Sequence, residues 1–94
     1  MTLTFHIPGP LRPFTDGKGT VILEGSARTV REALTVLFAR HPGLRDRVLT
    51  ELGEVRPHVN IFVGDESIRS WGGLDAPLPA DAPLSIIPAV SGGR

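Results

Sequence analysis

The chain has 94 residues, a length suited to one domain, with ten Lys/Arg balanced by ten Asp/Glu and a hydrophobic share of 40%. That share supports a small core and excludes a disordered polymer. The absence of cysteine excludes Cys-nucleophile catalysis, Cys-ligated zinc, iron–sulfur clusters and a disulfide-stapled secreted framework.

No stretch approaches the ~18 consecutive apolar residues of a membrane span. The start, Met1-Thr2-Leu3-Thr4-Phe5, carries neither a basic leader nor a signal-peptide hydrophobic block. A cytoplasmic protein without a membrane partner is the expectation. Eleven glycines and nine prolines fall mostly between apolar stretches without the collagen period, which predicts short elements joined by tight turns.

Leu3, Phe5 and Ile7 alternate with Thr2, Thr4 and His6, the period of a half-buried strand. Pro8-Gly9-Pro10 ends it, because proline offers no ladder donor and restricts the residue before it. Residues 11–18 read as a loop closing in Asp16-Gly17-Lys18-Gly19. A second strand over 20–24 is expected to pair with the first as a hairpin with a long connection. Thr29 and Glu32 then carry the spacing of a reciprocal capping box. Val30, Ala33, Leu34, Leu37 and Phe38 supply a buried stripe for a helix over 30–41, which Pro42-Gly43 stops. Val36 falls off this stripe.

Residues 44–57 are polar and weakly periodic, with one helical turn near 44–48. The strongest strand is 58–63, where Val59, Ile61 and Val63 share a face, and Gly64-Asp65 turns the chain. Ile68, Trp71 and Leu74, spaced by three, predict a short helical turn capping the core edge. A last strand over 84–87 closes at Pro88. One helix against one mixed sheet of four to five strands makes an α+β fold, a roll of the β-grasp (ubiquitin-like) type over 1–88.

Strict alternation puts Phe62 and Ile87 on the sheet face away from the helix. If their strands pair, the two form an exposed apolar patch, a candidate partner-docking surface. After Pro88 the chain runs Ala89-Val90-Ser91-Gly92-Gly93-Arg94. Residues 89–94 are expected to be a flexible tail, because nothing large enough to anchor them follows the last strand; residues 88–94, extended, reach at most ~24 Å. A diglycine, lacking side chains, suits a narrow channel and tolerates unusual dihedrals at a reacting carbonyl. Gly72-Gly73 reads as a turn.

Leu11-Arg12-Pro13, the segment Val59-Asn60-Ile61-Phe62-Val63-Gly64-Asp65-Glu66, Gly72-Gly73-Leu74 and Ser85-Ile86-Ile87-Pro88-Ala89-Val90-Ser91-Gly92-Gly93 together resemble the ThiS/MoaD-like ubiquitin-fold sulfur-carrier family over nearly the whole chain. The likeness is greatest to its cysteine-synthesis (CysO-type) branch. The resemblance implies a carrier that is itself no enzyme and binds no cofactor. An E1-like adenylating enzyme would use ATP to activate the Gly93 carboxylate, a sulfur donor would turn it into a thiocarboxylate, and a sulfur-accepting synthase would condense that sulfur with an activated serine. Val90, Ser91 and Gly92 form the tail that presents Gly93.

Arg94 departs from the pattern, since while it remains Gly93 has a peptide carbonyl and no carboxylate. Removal by a processing peptidase, which would cut between Gly93 and Arg94, is the expectation; a different mode of action, or an Arg94 foreign to the natural terminus, are the alternatives. A ubiquitin-like protein modifier, a non-covalent binding module, or a carrier for thiamine, molybdopterin or another thio-metabolite are the competing functions.

Other chemistry has little support. His6, His41 and His58 lack metal-ligand spacing, and no HExxH pattern occurs. Asp65-Glu66 reads as a solvated turn. Ser91 has no following helix to make a nucleophile elbow, and Asp16-Gly17-Lys18-Gly19 lacks P-loop spacing. Residues 1–47 carry seven basic and four acidic groups, residues 48–94 three and six. Zero net charge argues against nucleic acid. Arg12, Arg28 and Arg31 read as ordinary solvated residues, and the acidic second half suggests steering of a basic activating enzyme.

Overall fold

The computed structural model describes residues 2–88. Five strands, β1 (Thr2–His6), β2 (Thr20–Glu24), β3 (Val59–Val63), β4 (Glu66–Ser67) and β5 (Leu84–Pro88), form one sheet in the order β2-β1-β5-β3-β4. β1 and β2 pair antiparallel from Thr2↔Glu24 to His6↔Thr20, the hairpin expected of them. β5 enters between β1 and β3, parallel to the first and antiparallel to the second. The main helix α1 (Val30–Arg40) and the single turn α2 (Arg45–Val48) complete the regular elements. This is the mixed β-grasp sheet, with one main helix packed against it.

Period-two alternation decides which side is buried. Phe5, Ile7, Val21, Leu23, Val59, Ile61, Val63, Leu84 and Ile86 all face inward and are buried. Against them α1 sets Val30, Ala33, Leu34 and Leu37. Each such Val, Leu, Ile or Phe side chain contributes about 1.5–3 kcal/mol on leaving water. Phe38, expected on the same stripe, is only half-buried at its edge. Val36, which the stripe left unexplained, packs over Gly25 beside Leu3. Gly25 has φ 153°, and its bare Cα lets the helix flank approach.

The helix start follows the capping pattern with one change. Thr29 Oγ1 accepts from the Glu32 N–H at 3.2 Å, but the Glu32 carboxylate accepts from the N–H of Arg28 at 2.8 Å, one residue earlier than the reciprocal box places it. The segment around Pro77 pairs alongside this start: Val30 N–H donates to Ala76 O and Leu78 N–H to Arg28 O.

Residues 11–18 are not a plain loop. A 3-10 helix spans Gly9–Thr15, because Pro10 and Pro13 preset φ near the helical value. Thr15 is wholly buried; its hydroxyl donates to Lys18 O at 2.8 Å and lies 3.2 Å from Arg12 O. Asp16 (φ 57°) and Gly17 (φ 83°) then reverse the chain in the left-handed region. Farther on, Ile68–Ser70 and Gly73–Asp75 form two 3-10 turns. Ile68 and Leu74 cap the core as expected, whereas Trp71 remains 39% exposed between them. Gly72 and Gly73, at φ 109° and 71°, make the turn that their pairing suggested. No helix among the described residues is long and apolar enough to cross a membrane.

Candidate functional site

The site is best located from β5. Leu84 pairs with Val63 and Phe5 at one end of the sheet, and Pro88 pairs with Val59 at the other. The last described residue, Pro88, therefore ends a central strand, flanked by the end of β1 and the start of β3; this end of β5 is the exit point of the described chain. Gly93, the expected activation site, lies outside the described residues, as do Val90, Ser91 and Gly92 of the tail and Arg94 at the processing point.

The two residues expected to dock a partner do share the outer face. Phe62 pairs with Ser85 and Asn60 with Ile87, so Phe62 and Ile87 are diagonal neighbours across β3 and β5, about 7–8 Å apart. Ile87 is 46% exposed; Phe62 is half-buried. The row through Phe62 continues to Ser67 on one side and through Ser85 to His6 and Thr20 on the other. Ile22, 64% exposed, also lies on this face, but its partner Thr4 is two residues before the Phe62 row. It stands toward the opposite end of the sheet from Ile87.

Around the point where the chain leaves, the structure gathers basic side chains that the sequence scattered. Arg12 Nε donates to Ile7 O at 3.2 Å, just past the end of β1. Arg69 Nη2 donates to Val59 O at 3.2 Å and lies 3.4 Å from Pro57 O. It serves carbonyls along β3 where two-residue β4 has ended. Arg56 Nε donates to Asp46 O at 2.7 Å, and the Arg47 guanidinium stacks 4.9 Å from the centre of the Phe14 ring. Phe14, Arg47, Arg56 and His58 line one open cleft, with Gly43 and the Asp46 carboxylate at its side. Among the described residues, neither salt bridge involves Arg12, Arg47, Arg56 or Arg69: Asp46 pairs with Arg45 at 3.5 Å and Asp75 with Arg31 at 3.3 Å.

Sequence reasoning did not find this group. It treated Arg12 as an ordinary solvated residue and placed positive charge in the first half of the chain and negative charge in the second. The fold divides charge differently. Arg56 and Arg69, from the acidic half, join Arg12 and Arg47 from the basic half, while Glu24, Asp65 and Glu66 lie at the other end, beside Thr2 and Val63. The available signal was positional: Arg56 lies just before β3 and Arg12 shortly after β1.

No cluster of three or more His, Cys, Asp or Glu able to hold a metal occurs among the described residues. The arrangement offers no nucleophile with an adjacent base. What it presents is an outer apolar pair near the last described residue, with four arginines at that end of the sheet and Asp46, Glu51, Glu54 and Asp75 in the clefts that Arg47, Arg56 and Arg69 line.

Comparison with known proteins agrees with this fold. A model of the ThiS family matches residues 5–93. The sulfur carrier protein CysO of Mycobacterium tuberculosis H37Rv is 35% identical over 95 residues, covering 99% of this chain and 100% of that one. A crystal structure of the Amycolatopsis orientalis BexX/CysO complex contains a chain that superposes with a TM-score of 0.86 at 36% identity, over 97% of this chain and 99% of the other. SAMP1 of Haloferax volcanii superposes with a TM-score of 0.81 at 29% identity, over 99% and 100%. A family match running from the buried Phe5 of β1 through the diglycine means that this chain belongs to the ThiS family.

Proposed function

We propose that this protein is a sulfur carrier, and that its reactive group is the Gly93 carboxylate exposed once a peptidase has removed Arg94. A free carboxylate is a poor electrophile. An E1-like partner would let a Gly93 oxygen attack the α-phosphorus of ATP, expelling pyrophosphate and leaving an acyl-adenylate. Sulfur from a donor at the oxidation level of sulfide then attacks the acyl carbon, the bond to the AMP oxygen breaks, and AMP departs. The product is a thiocarboxylate whose sulfur a synthase takes up, with cysteine as the best-supported end product. The chain needs no thiol of its own for this chemistry, since the sulfur rides on the main-chain terminus.

The observation that carries the reading is the family match over residues 5–93, which takes in Gly92 and Gly93, four and five residues after Pro88 at the end of the central strand β5. Phe62 and Ile87 are the docking pair for the partner that receives the tail: Ile87 is one residue from the last described position and half-exposed. The likeness to SAMP1 favours one alternative, a protein modifier whose Gly93 ends in an isopeptide bond.

Intact-mass spectrometry separates the two. Protein ending at Gly93 is incubated with the E1-like enzyme of its own organism, ATP and sulfide. A carrier gains the mass difference between sulfur and oxygen and remains a single chain. Conjugates to lysines of larger proteins, with no thiocarboxylate formed, would establish the modifier instead. An unchanged mass would contradict both.

A further inference from the structure

We infer that the cationic side chains around the chain's exit point form a docking collar for a partner protein whose tail-accepting channel is rimmed by carboxylates. The inference rests on the carrier reading and reverses the charge sense suggested by the sequence halves.

Three observations support the collar. First, its members are held in place. Arg12 and Arg56 each spend one guanidinium contact on a backbone carbonyl, Arg69 spends two, and Arg47 lies on the Phe14 ring. A guanidinium has five N–H donors in a fixed fork, so each retains donors for a carboxylate, with less side-chain entropy left to lose on binding. Second, the two salt bridges among the described residues involve none of the four. Third, the collar surrounds the strand it would serve: Arg12 lies on the β1 side of β5 and Arg69 on the far side of β3.

Glu24, Asp65 and Glu66 lie at the opposite end of the sheet. The length of β5 separates the ends by about 13 Å at ~3.3 Å per residue. That exceeds the Debye length of about 8 Å at physiological salt, so the acidic end does not cancel the collar there. Nearer acids offset it in part: Glu51 shares a cleft with Arg56 and Glu54 one with Arg69, while Asp46 and Asp75 are paired with Arg45 and Arg31, which leaves Arg12 and Arg47 as the members that carry the excess positive charge. At longer range the same polarity orients the molecule exit point first. An acidic rim would therefore raise the rate of productive encounter, while the channel behind it sets the chemistry.

The test measures KM for the carrier, processed to Gly93, in adenylation by its organism's E1-like enzyme. Salt is raised from about 0.01 M to about 0.15 M, which shortens the Debye length from about 30 Å to about 8 Å. The collar predicts a wild-type KM that rises about tenfold across this range with kcat unchanged, within the span of electrostatic steering. Arg47→Glu, which gives up a contact with the half-buried Phe14 ring, should raise KM severalfold at low salt. Arg12→Glu/Arg47→Glu should raise it further and abolish most of the salt dependence. Arg12→Gln/Arg47→Gln, the milder pair, should fall between, with a melting temperature near wild type as the check on folding. Glu24→Lys/Glu66→Lys, at the other end, should leave KM near wild type at about 0.15 M salt, where the Debye length of about 8 Å is shorter than the separation of the two ends. A salt-independent wild-type KM, or Arg47→Glu and the Gln pair indistinguishable from wild type, would overturn the collar while leaving the carrier intact. Absence of adenylation at every salt concentration would overturn the carrier reading and the collar with it.

Discussion

The inner and outer faces of the sheet are made from the same strands by alternate residues, yet they are built to different ends. Inward, Phe5, Ile61, Leu84 and Ile86 are almost wholly removed from water and lie against α1. Outward, the neighbouring positions are His6, Asn60, Phe62, Ser85 and Ile87, a mostly polar surface with one half-exposed isoleucine next to the exit point. Stability is concentrated on one face. The other face, with the end of β5, can be changed at little cost to folding, which suits the docking role proposed for it.

The difference can be broken most severely from the inside. Leu37→Ala on α1 removes a side chain with no exposed surface and should cost about 2–5 kcal/mol. At ~4–8 °C per kcal/mol for a domain of this size, thermal melting followed by circular dichroism should show a large drop, with adenylation lost only as the fold is lost. A melting temperature near wild type would contradict the assigned core.

Outer-face changes should do the opposite. Ile87→Ala is expected to shift stability by no more than about 0.5 kcal/mol, yet to weaken binding to the activating enzyme by more than ~1 kcal/mol, about fivefold or more. Titration calorimetry with that enzyme provides the measurement. Phe62→Ala, half-buried, should lower both stability and affinity. If Ile87→Ala bound normally, the patch would be an incidental surface hydrophobe.

The smallest effect sharpens the comparison from a neutral position. Thr29→Ala removes the side-chain acceptor for the Glu32 N–H and should cost about 1 kcal/mol of stability. Because Thr29 lies on neither the outer face nor the collar, KM and kcat in adenylation should remain at wild-type values. A changed KM would connect the helix start to partner binding.

The strands were legible because each buries one face, so the apolar period and the structural period coincide at Leu3-Phe5-Ile7 and Val59-Ile61-Val63. The α1 start was legible because capping chemistry is local: Thr29 and Glu32 are three residues apart. Where placement depends on distant chain, sequence reading falls short. Glu32 finds Arg28 beside a segment near Pro77 that paired at this start, and Phe38 emerges at the edge of α1's packing. Buried Thr15, with its backbone-directed hydroxyl, gives no periodic signal. The adjacency of Phe62 and Ile87 was readable from strand alternation, since the two needed only the β3–β5 pairing to become neighbours. The arginine collar was not, because its members come from four separate segments and meet only when β5 is inserted between β1 and β3.

Adenylation of chains with different ends is the most direct test of the central claim. Three proteins, ending at Gly92, Gly93 and Arg94, are compared in ATP–pyrophosphate exchange with the purified activating enzyme and no peptidase present. The account predicts exchange with the chain ending at Gly93 alone, at equal melting temperatures for all three. Exchange supported equally by the chain ending at Arg94 would contradict Gly93 as the activated residue.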